Sequence, residues 1–439
     1  MDIVNSIHIQ IRKMLKKPSK IDGRFLVVAA VLGYFGLLYV ANFFVPYHNF
    51  WWRLGVPAAT NPFIDLAAVL GAFDCDRLTE EVSLINNSCF KQISYPSSWS
   101  SLTWLGLEQR DTIFWGVFFA LIFYGITLMI IGRLNYQEAV VYALILCSPP
   151  VMLLVERGNV DIVIYSWLGV ALMIIKNSRA LIFRLCAYLL IFFWGVVKLF
   201  PIFGLAVILK EKRNLFLFLS AIFTTAFITY FLASIGEIKT ISSIHDGRIW
   251  YSFGYKVLFG AVKYILSKLT SGETDLKNTI IYMMYIIMIL FTMSILTRVL
   301  LSKFKIFKEW LSSDFVSTDS DKSLDKSRYI DYFRLAAAIH LGNFLVIGML
   351  YDYKLTFLIF ALPQILDWIK QENQLSLPFS IALVAIVATF YASPFLYPWV
   401  IDEVINLLLF FNLLYISILS MPEWLKFLVH KRLSGKFSG

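Results

Sequence analysis

Residues 181–209 read LIFRLCAYLLIFFWGVVKLFPIFGLAVIL, and the number of times this stretch crosses a membrane decides the fold. It is longer than the roughly 20 apolar residues of one crossing and shorter than two full crossings. It is interrupted at VVKLFP, so it is either one long kinked helix or two short ones. Other apolar spans lie near 25–45, 112–132, 138–155, 160–175, 215–235, 279–300, 333–350, 355–369, 378–396 and 403–420. Two passes over 181–197 and 199–209 place 26 of the 39 Lys and Arg on the cytoplasmic side and 13 outside; a single pass inverts everything after 209 and leaves 17 inside against 22 outside. Cytoplasmic loops carry the excess of Lys and Arg, so two passes are expected. Pro201 then starts the second, short helix in its first turn, where a missing N–H costs nothing. The expectation is an all-α polytopic transmembrane helical bundle of about 12 spans, with both termini cytoplasmic and Lys198 at the outer end of a break inside the membrane.

Composition agrees with this class. The chain is 59% hydrophobic and 15% charged, with a mean hydropathy of +0.72, which excludes a soluble globule. The net charge of +10 is a topology signal, and nucleic acid is not an expected partner. Residues 1–24 form a basic cytoplasmic tail carrying Arg12, Lys13, Lys16, Lys17, Lys20 and Arg24, with no cleavable leader ahead of the first span. Residues 25–301 form a transmembrane module with outer loops 46–110 and 236–278. Residues 302–328, rich in Ser, Asp and Lys, form a flexible cytoplasmic loop. Helices follow over 329–420, then a basic cytoplasmic tail over 421–439.

The loop 46–110 is the longer of the two outer loops. Asn61 and Pro62 form a helix start, and Phe63, Leu66, Ala67 and Leu70 recur at helical spacing. A short amphipathic helix is therefore expected on the membrane surface, with Asp65 in its first turn. A carboxylate at that boundary can take a proton from a lipid-borne hydroxyl; Asp74 and Asp76 are alternative bases nearby. Cys75 and Cys89 share the loop and pair if that face is oxidising. Cys147 and Cys186 are read as packing residues.

Charges at membrane depth are costly, roughly 2.5–3.5 kcal/mol each at the bilayer centre, so they are paired, hydrated or used. PPVMLLVERGNVDIVIY puts Glu156, Arg157, Asn159 and Asp161 within one turn region. Either the two acids neutralise Arg157 locally, or Arg157 grips a phosphate with its planar fork of donors. Lys198 has no acidic residue within ten positions on either side; it either snorkels to the outer surface or faces an anion. Lys354 either pairs with Asp352 in a tight turn or joins the same anion site. His340 lies inside an apolar span as a packing or proton-carrying imidazole. His245, Asp246 and Arg248 precede the aromatic run WYSFGYKVLF in the second outer loop. No zinc spacing or phosphate-binding loop occurs; no cofactor is expected, and no metal either if the cations suffice.

Taken in order, an early Asp in the first outer loop, the ERGN turn, Lys198 to Pro201 as K-x-x-P in a broken helix, and the DYK turn at 352–354 resemble the C-type integral membrane glycosyltransferases. They are most similar to glycosyltransferase family 87, which includes polyprenyl-phosphate-mannose-dependent mannosyltransferases. The likeness extends over residues 25–369. It implies transfer of mannose or another hexose or pentose from a polyprenyl-phosphate donor to a lipid or glycan acceptor, with inversion. The transfer takes place at the outer face of a bacterial plasma membrane. It also implies that Asp65 is the general base. Arg157, Lys198 and Lys354 would hold the donor phosphate, with Glu156, Asn159, Asp161, His340 and Asp352 in support. The ERGN turn departs from the G-Q-x-N form of some members, which bears on sugar and acceptor choice. The rival class is a transporter or lipid flippase. Its favoured signature, interrupted helices at corresponding places in two halves, is met here at one place, Lys198 to Pro201.

Overall fold

The chain reverses at Leu199. In the computed structural model, which describes residues 21–81, 97–237, 252–257, 327–347, 350–371, 376–395, 400–427 and a few isolated positions, helix Leu181–Lys198 stops where Leu199 adopts a φ of 48°. The 3₁₀ helix Phe200–Lys210 then returns alongside it. Glu211, at the end of the return, accepts Arg184 Nε at 2.6 Å, Arg184 Nη2 at 3.0 Å and the Tyr188 hydroxyl at 2.7 Å, so the two arms are antiparallel. A Cβ at Gly195 would sit 3.0 Å from the Ile202 backbone, and glycine is what lets the arms approach. The tighter winding explains how so short a segment runs back: a 3₁₀ helix rises about 2.0 Å per residue against about 1.5 Å for an α-helix.

The returning arm packs against helix Ile330–Gly342. Lys210 Nζ reaches Asp331 Oδ2 at 3.0 Å and the Ile175 carbonyl at 2.8 Å; at the other end Gly342 lies against the Phe203 ring. Helix Asp161–Asn177 is central. Ile164, Tyr165, Leu168, Ala171, Leu172 and Ile175 are all fully enclosed, and Tyr165 stacks on Phe360 with centroids 4.2 Å apart. Among the described residues, six helices are long and apolar enough to cross a membrane: Arg24–Ala41, Gln109–Ile131, Leu181–Lys198, Arg213–Ala233, Ile330–Ile347 and Asp402–Leu419. Tyr136–Leu146 with Pro149–Arg157, bent by 52°, makes a seventh if the pair is one broken span. The architecture is predominantly helical, and these helices are consistent with an integral membrane protein. The expected span at 279–300, most of the loop at 302–328, and His245, Asp246 and Arg248 lie outside the described residues.

Polar contacts gather at two levels. At one, Asp22 pairs with Arg24 at 2.7 Å and the Arg24 guanidinium holds the Asp22 carboxyl down to about 2. Asn135 and Glu138 close a reciprocal capping box, Glu138 pairs with Lys370, and Arg334 donates to the Ser420 carbonyl at 3.1 Å. At the other level lie the end of the hairpin at Lys198, the two-residue strands Ser252–Phe253 and Leu350–Tyr351, which pair antiparallel, and the first loop. In that loop the buried Trp99 donates its indole N–H to the Val197 carbonyl at 3.2 Å.

The helix carrying Asp65 is longer than its periodicity predicts. It runs Ile64–Glu81 because the Asp74–Arg77 pair, at 2.5 Å, extends it by one favourable i,i+3 contact. It is also no free surface helix: Leu66, Val69, Leu70, Ala72 and Phe73 are buried against the bundle. Cys75 is disulfide-bonded and Cys147 and Cys186 are free; the expected partner, Cys89, lies outside the described residues.

The two levels predict opposite faces. In a chain whose free cysteines are replaced, single cysteines at Asn61 and Lys256 should react with a membrane-impermeant maleimide from one side, and those at Asn177 and Lys212 from the other. If Asn177 and Lys212 label from opposite sides, the hairpin does not return across the membrane.

Candidate active site

Helix Pro149–Arg157 ends because Gly158 takes a left-handed φ of 58°, the usual glycine stop. Asn159 and Asp161 then open the central helix. The space over this turn is filled by Phe63, whose side chain would lie 3.1 Å from a Cβ at Gly158. Phe63 itself has φ 58°, and its N–H donates to the Glu156 carbonyl at 2.6 Å. That backbone bond docks the start of the Asp65 helix directly on the ERGN turn.

Asp65 consequently faces Arg157 and Asn159. Arg157 Nη1 lies 3.3 Å from Asp65 Oδ1 and Asn159 Nδ2 donates to Asp65 Oδ2 at 2.7 Å. The same Nδ2 lies 3.3 Å from the Tyr353 hydroxyl. Asn159 Oδ1 accepts from Lys198 Nζ at 3.2 Å and from the Asp161 amide at 3.1 Å. Lys198 pairs with Asp161 Oδ1 at 2.7 Å. One carboxamide therefore uses both its donor and its acceptor sides and joins four segments far apart in the chain.

Arg157 Nη2 donates to the Pro57 carbonyl at 3.3 Å, and its buried Nε has no hydrogen-bond partner among the described residues. Lys354 Nζ lies 4.6 Å from the centroid of Phe200, an aromatic face that attracts a cation. Among the described residues no carboxylate comes within ion-pair distance of it. The local pair with Asp352 is not formed, and neither is the self-neutralising ERGN turn: Arg157 turns to Asp65, and Asp161 to Lys198. Exposure separates the two pairs. Asp65 and Arg157 retain 23% and 27% of their side-chain surface, whereas Asp161 has none. Asp65 is the reachable carboxylate and Asp161 the buried counter-ion of Lys198.

The other expected residues take different places. Asp74 is engaged by Arg77 and by the Gln109 amide at 2.8 Å, about three turns along the helix from Asp65; Asp76 lies further still. Glu156 makes no contact with Asp65 and accepts from the Tyr47 hydroxyl at 3.2 Å. His340 is buried and stacks on Phe253 with centroids 5.4 Å apart. Asp352 is buried at the start of its helix. Among the described residues no group of three His, Cys, Asp or Glu is placed to hold a metal ion. Tyr47 and Tyr353 were not singled out by sequence reasoning. Tyr353 sat inside the DYK turn, where only the charges drew attention.

No family model, curated protein or solved structure matches the chain.

Gly158→Ala tests how the turn is built. A side chain there must hold a left-handed conformation, costing about 1–2 kcal/mol, and must displace Phe63. Thermal unfolding of the solubilised protein should show a lower midpoint for Gly158→Ala, whereas Gly125→Ala, on an open helix face, should leave it unchanged. Equal midpoints would mean that Phe63 does not rest on this turn.

Proposed function

We propose that the chain is an integral membrane glycosyltransferase of the C type, with about 12 spans. It moves a sugar from a polyprenyl-phosphate donor to a lipid or glycan acceptor on the face that carries Asp65. The observation that carries this reading is one reachable carboxylate, Asp65, in contact with Arg157 and Asn159, with Lys198 on the other side of the same Asn159 carboxamide, all from segments remote in sequence.

In this reading Asp65 takes the proton of the acceptor hydroxyl as that oxygen attacks the anomeric carbon. The bond from that carbon to the donor phosphate breaks, the electron pair leaves with the phosphate, and the configuration inverts. The phosphate departs as an anion, so it needs fixed positive charge and no general acid. Arg157 has an unused Nε–H. Lys198 adds its ammonium beside Asp161 and Asn159. Lys354 lies over the Phe200 ring and makes no ion pair among the described residues. Asn159 turns the Asp65 carboxylate and is a positioning residue. The polyprenyl-phosphate donor and the lipid or glycan acceptor are the partners this reading requires.

Membranes or proteoliposomes holding the chain should transfer labelled sugar from a polyprenyl-phosphate sugar. Asp65→Asn keeps the shape and should lower transfer by roughly 10²–10⁴ with donor binding retained, while Asp74→Asn should stay near the parent rate once its expression is matched. Lys354→Met should raise the apparent KM for donor without loss of folded protein, as removal of one charge-assisted contact of about 1.5–3 kcal/mol requires. Parent-like transfer by Asp65→Asn removes the base assignment. A parent that transfers no sugar from any such donor puts the transporter reading ahead.

A further inference from the structure

The 3₁₀ helix Ser97–Leu105 and the turn after it divide their apolar side chains between two directions. Trp99 is buried, and Leu102 and Leu107 pack against the core, whereas Trp104 is 78% exposed and Leu105 45%. The outward pair is held rigidly. Arg77, on the helix that carries Asp65, donates Nη1 to the Thr103 carbonyl at 3.2 Å and Nη2 to the Leu107 carbonyl at 2.7 Å. One guanidinium thus ties both ends of the turn 103–107, and Gly106, with φ 67°, supplies the left-handed step that lets the chain double back. Asp74 completes the clamp: Oδ1 accepts from Arg77 Nη2 at 2.5 Å, and Oδ2 accepts from the Gln109 amide at 2.8 Å.

The clamp also fixes the depth of the turn. Gln109 opens the apolar span Gln109–Ile131, on which Ile113, Phe114, Val117 and Leu121 are exposed as a lipid-facing stripe. Leu105 stands four residues before Gln109, so the two lie within about 14 Å even along a fully extended chain. Arg77 and Asp74, which hold Leu107 and Gln109 together, shorten that distance. The headgroup zone is itself roughly 5–8 Å deep on each side of the acyl core. A rigid apolar tip beside the mouth of a span therefore stands at the lipid boundary. A large apolar surface left exposed at one fixed point marks an interaction site, and Trp, an apolar ring with one N–H donor, favours the headgroup level. Glu108 and Arg110, beyond the turn, pair with each other at 2.6 Å, so the approach to the tip carries no net charge that would select an ionic partner.

We propose that Trp104 and Leu105 dock in the boundary between headgroups and acyl chains of the leaflet on the Asp65 face, and that through Arg77 they set the height of helix Ile64–Glu81 over the lipid. The partner is the surface of the bilayer, and its recognition needs no anionic headgroup. The proposal holds whether or not sugar is transferred.

The test is spin labelling of the full chain, with Cys147 and Cys186 replaced, in phosphatidylcholine nanodiscs. A nitroxide is attached in turn at Trp104→Cys, Leu105→Cys, Phe114→Cys and Asn61→Cys. Its collisions are measured with oxygen, which concentrates among acyl chains, and with a water-soluble nickel chelate. The oxygen-to-nickel ratio at positions 104 and 105 should be about fivefold above that at 61 and below that at 114, as an interfacial depth requires. With the label at Ile64→Cys, the first residue of the Asp65 helix, Trp104→Ser together with Leu105→Ser should raise nickel access about twofold as the helix lifts from the interface. A ratio at 104 and 105 equal to that at 61 places the tip in water, and few collisions with either reagent place it against protein; each result overturns the docking. Unchanged nickel access at Ile64→Cys overturns the height-setting role. The two tip positions cover the case in which one labelled variant fails to fold.

Discussion

The pair formed by Lys198 and Asp161 is the contact on which the rest of the site depends. Asp161 has no exposed surface at all, and an isolated charge so placed is several kcal/mol too costly to keep. It is tolerable because an ammonium lies 2.7 Å away. Lys198 in turn reaches Asp161 only because the chain turns back at Leu199 and presents the end of helix Leu181–Lys198 to the start of the central helix. Removal of Lys198 takes the ion-pair partner from a fully enclosed carboxylate, an effect of about 3–5 kcal/mol in buried pairs. The hairpin and the central helix thus hold each other in register at the level where Asn159 and Asp65 meet.

Backbone strain lies at the same level. Phe63 and Leu199 are the two non-glycine residues with positive φ among those described, and each stands next to a residue of the site, Asp65 two positions on and Lys198 one position back. Left-handed backbone in such residues costs on the order of 1–3 kcal/mol and persists only where the surroundings over-determine it. At Phe63 the surroundings are the Glu156 carbonyl and the Gly158 turn. At Leu199 they are the close packing of Gly195 on Ile202 and the anchor of Trp99 on Val197. Both turns place a charged side chain at the end of a rigid helix, which is a more exact support than a free loop.

Much of this was legible in the sequence, for a physical reason. Charges are so costly in apolar surroundings that the few present mark where polar contacts converge, and Asp65, Arg157, Asn159, Asp161 and Lys198 could be named without coordinates. Their partners could not. Hydropathy and charge counts describe depth, not azimuth, so neighbouring acids made a local pair for Arg157 and for Lys354 look natural. The structure gives Arg157 to Asp65 because Phe63, docked on the Glu156 carbonyl, brings the Asp65 helix over the turn. The extent of that helix was hidden too, since residues 74–81 are polar and carry no apolar period. Tyr353 and Tyr47 escaped because an aromatic with a hydroxyl in a chain so rich in aromatics carries no signal until its partner is known.

The two polar levels differ in how their charges are arranged. At the level of Arg184, Lys210 and Glu138 each named cation has an acid or carbonyl in reach: Arg184 with Glu211, Lys210 with Asp331 and Ile175, Lys370 with Glu138. That is what helix ends need in order to stay closed. At the level of Asp65 donors are left over, namely the Nε–H of Arg157 and the ammonium of Lys354 above Phe200. Lys176, over the Tyr329 ring at the first level, shows that a cation on an aromatic face does not by itself mark a site; what sets the second level apart is the reachable carboxylate of Asp65, held by Asn159 beside Arg157.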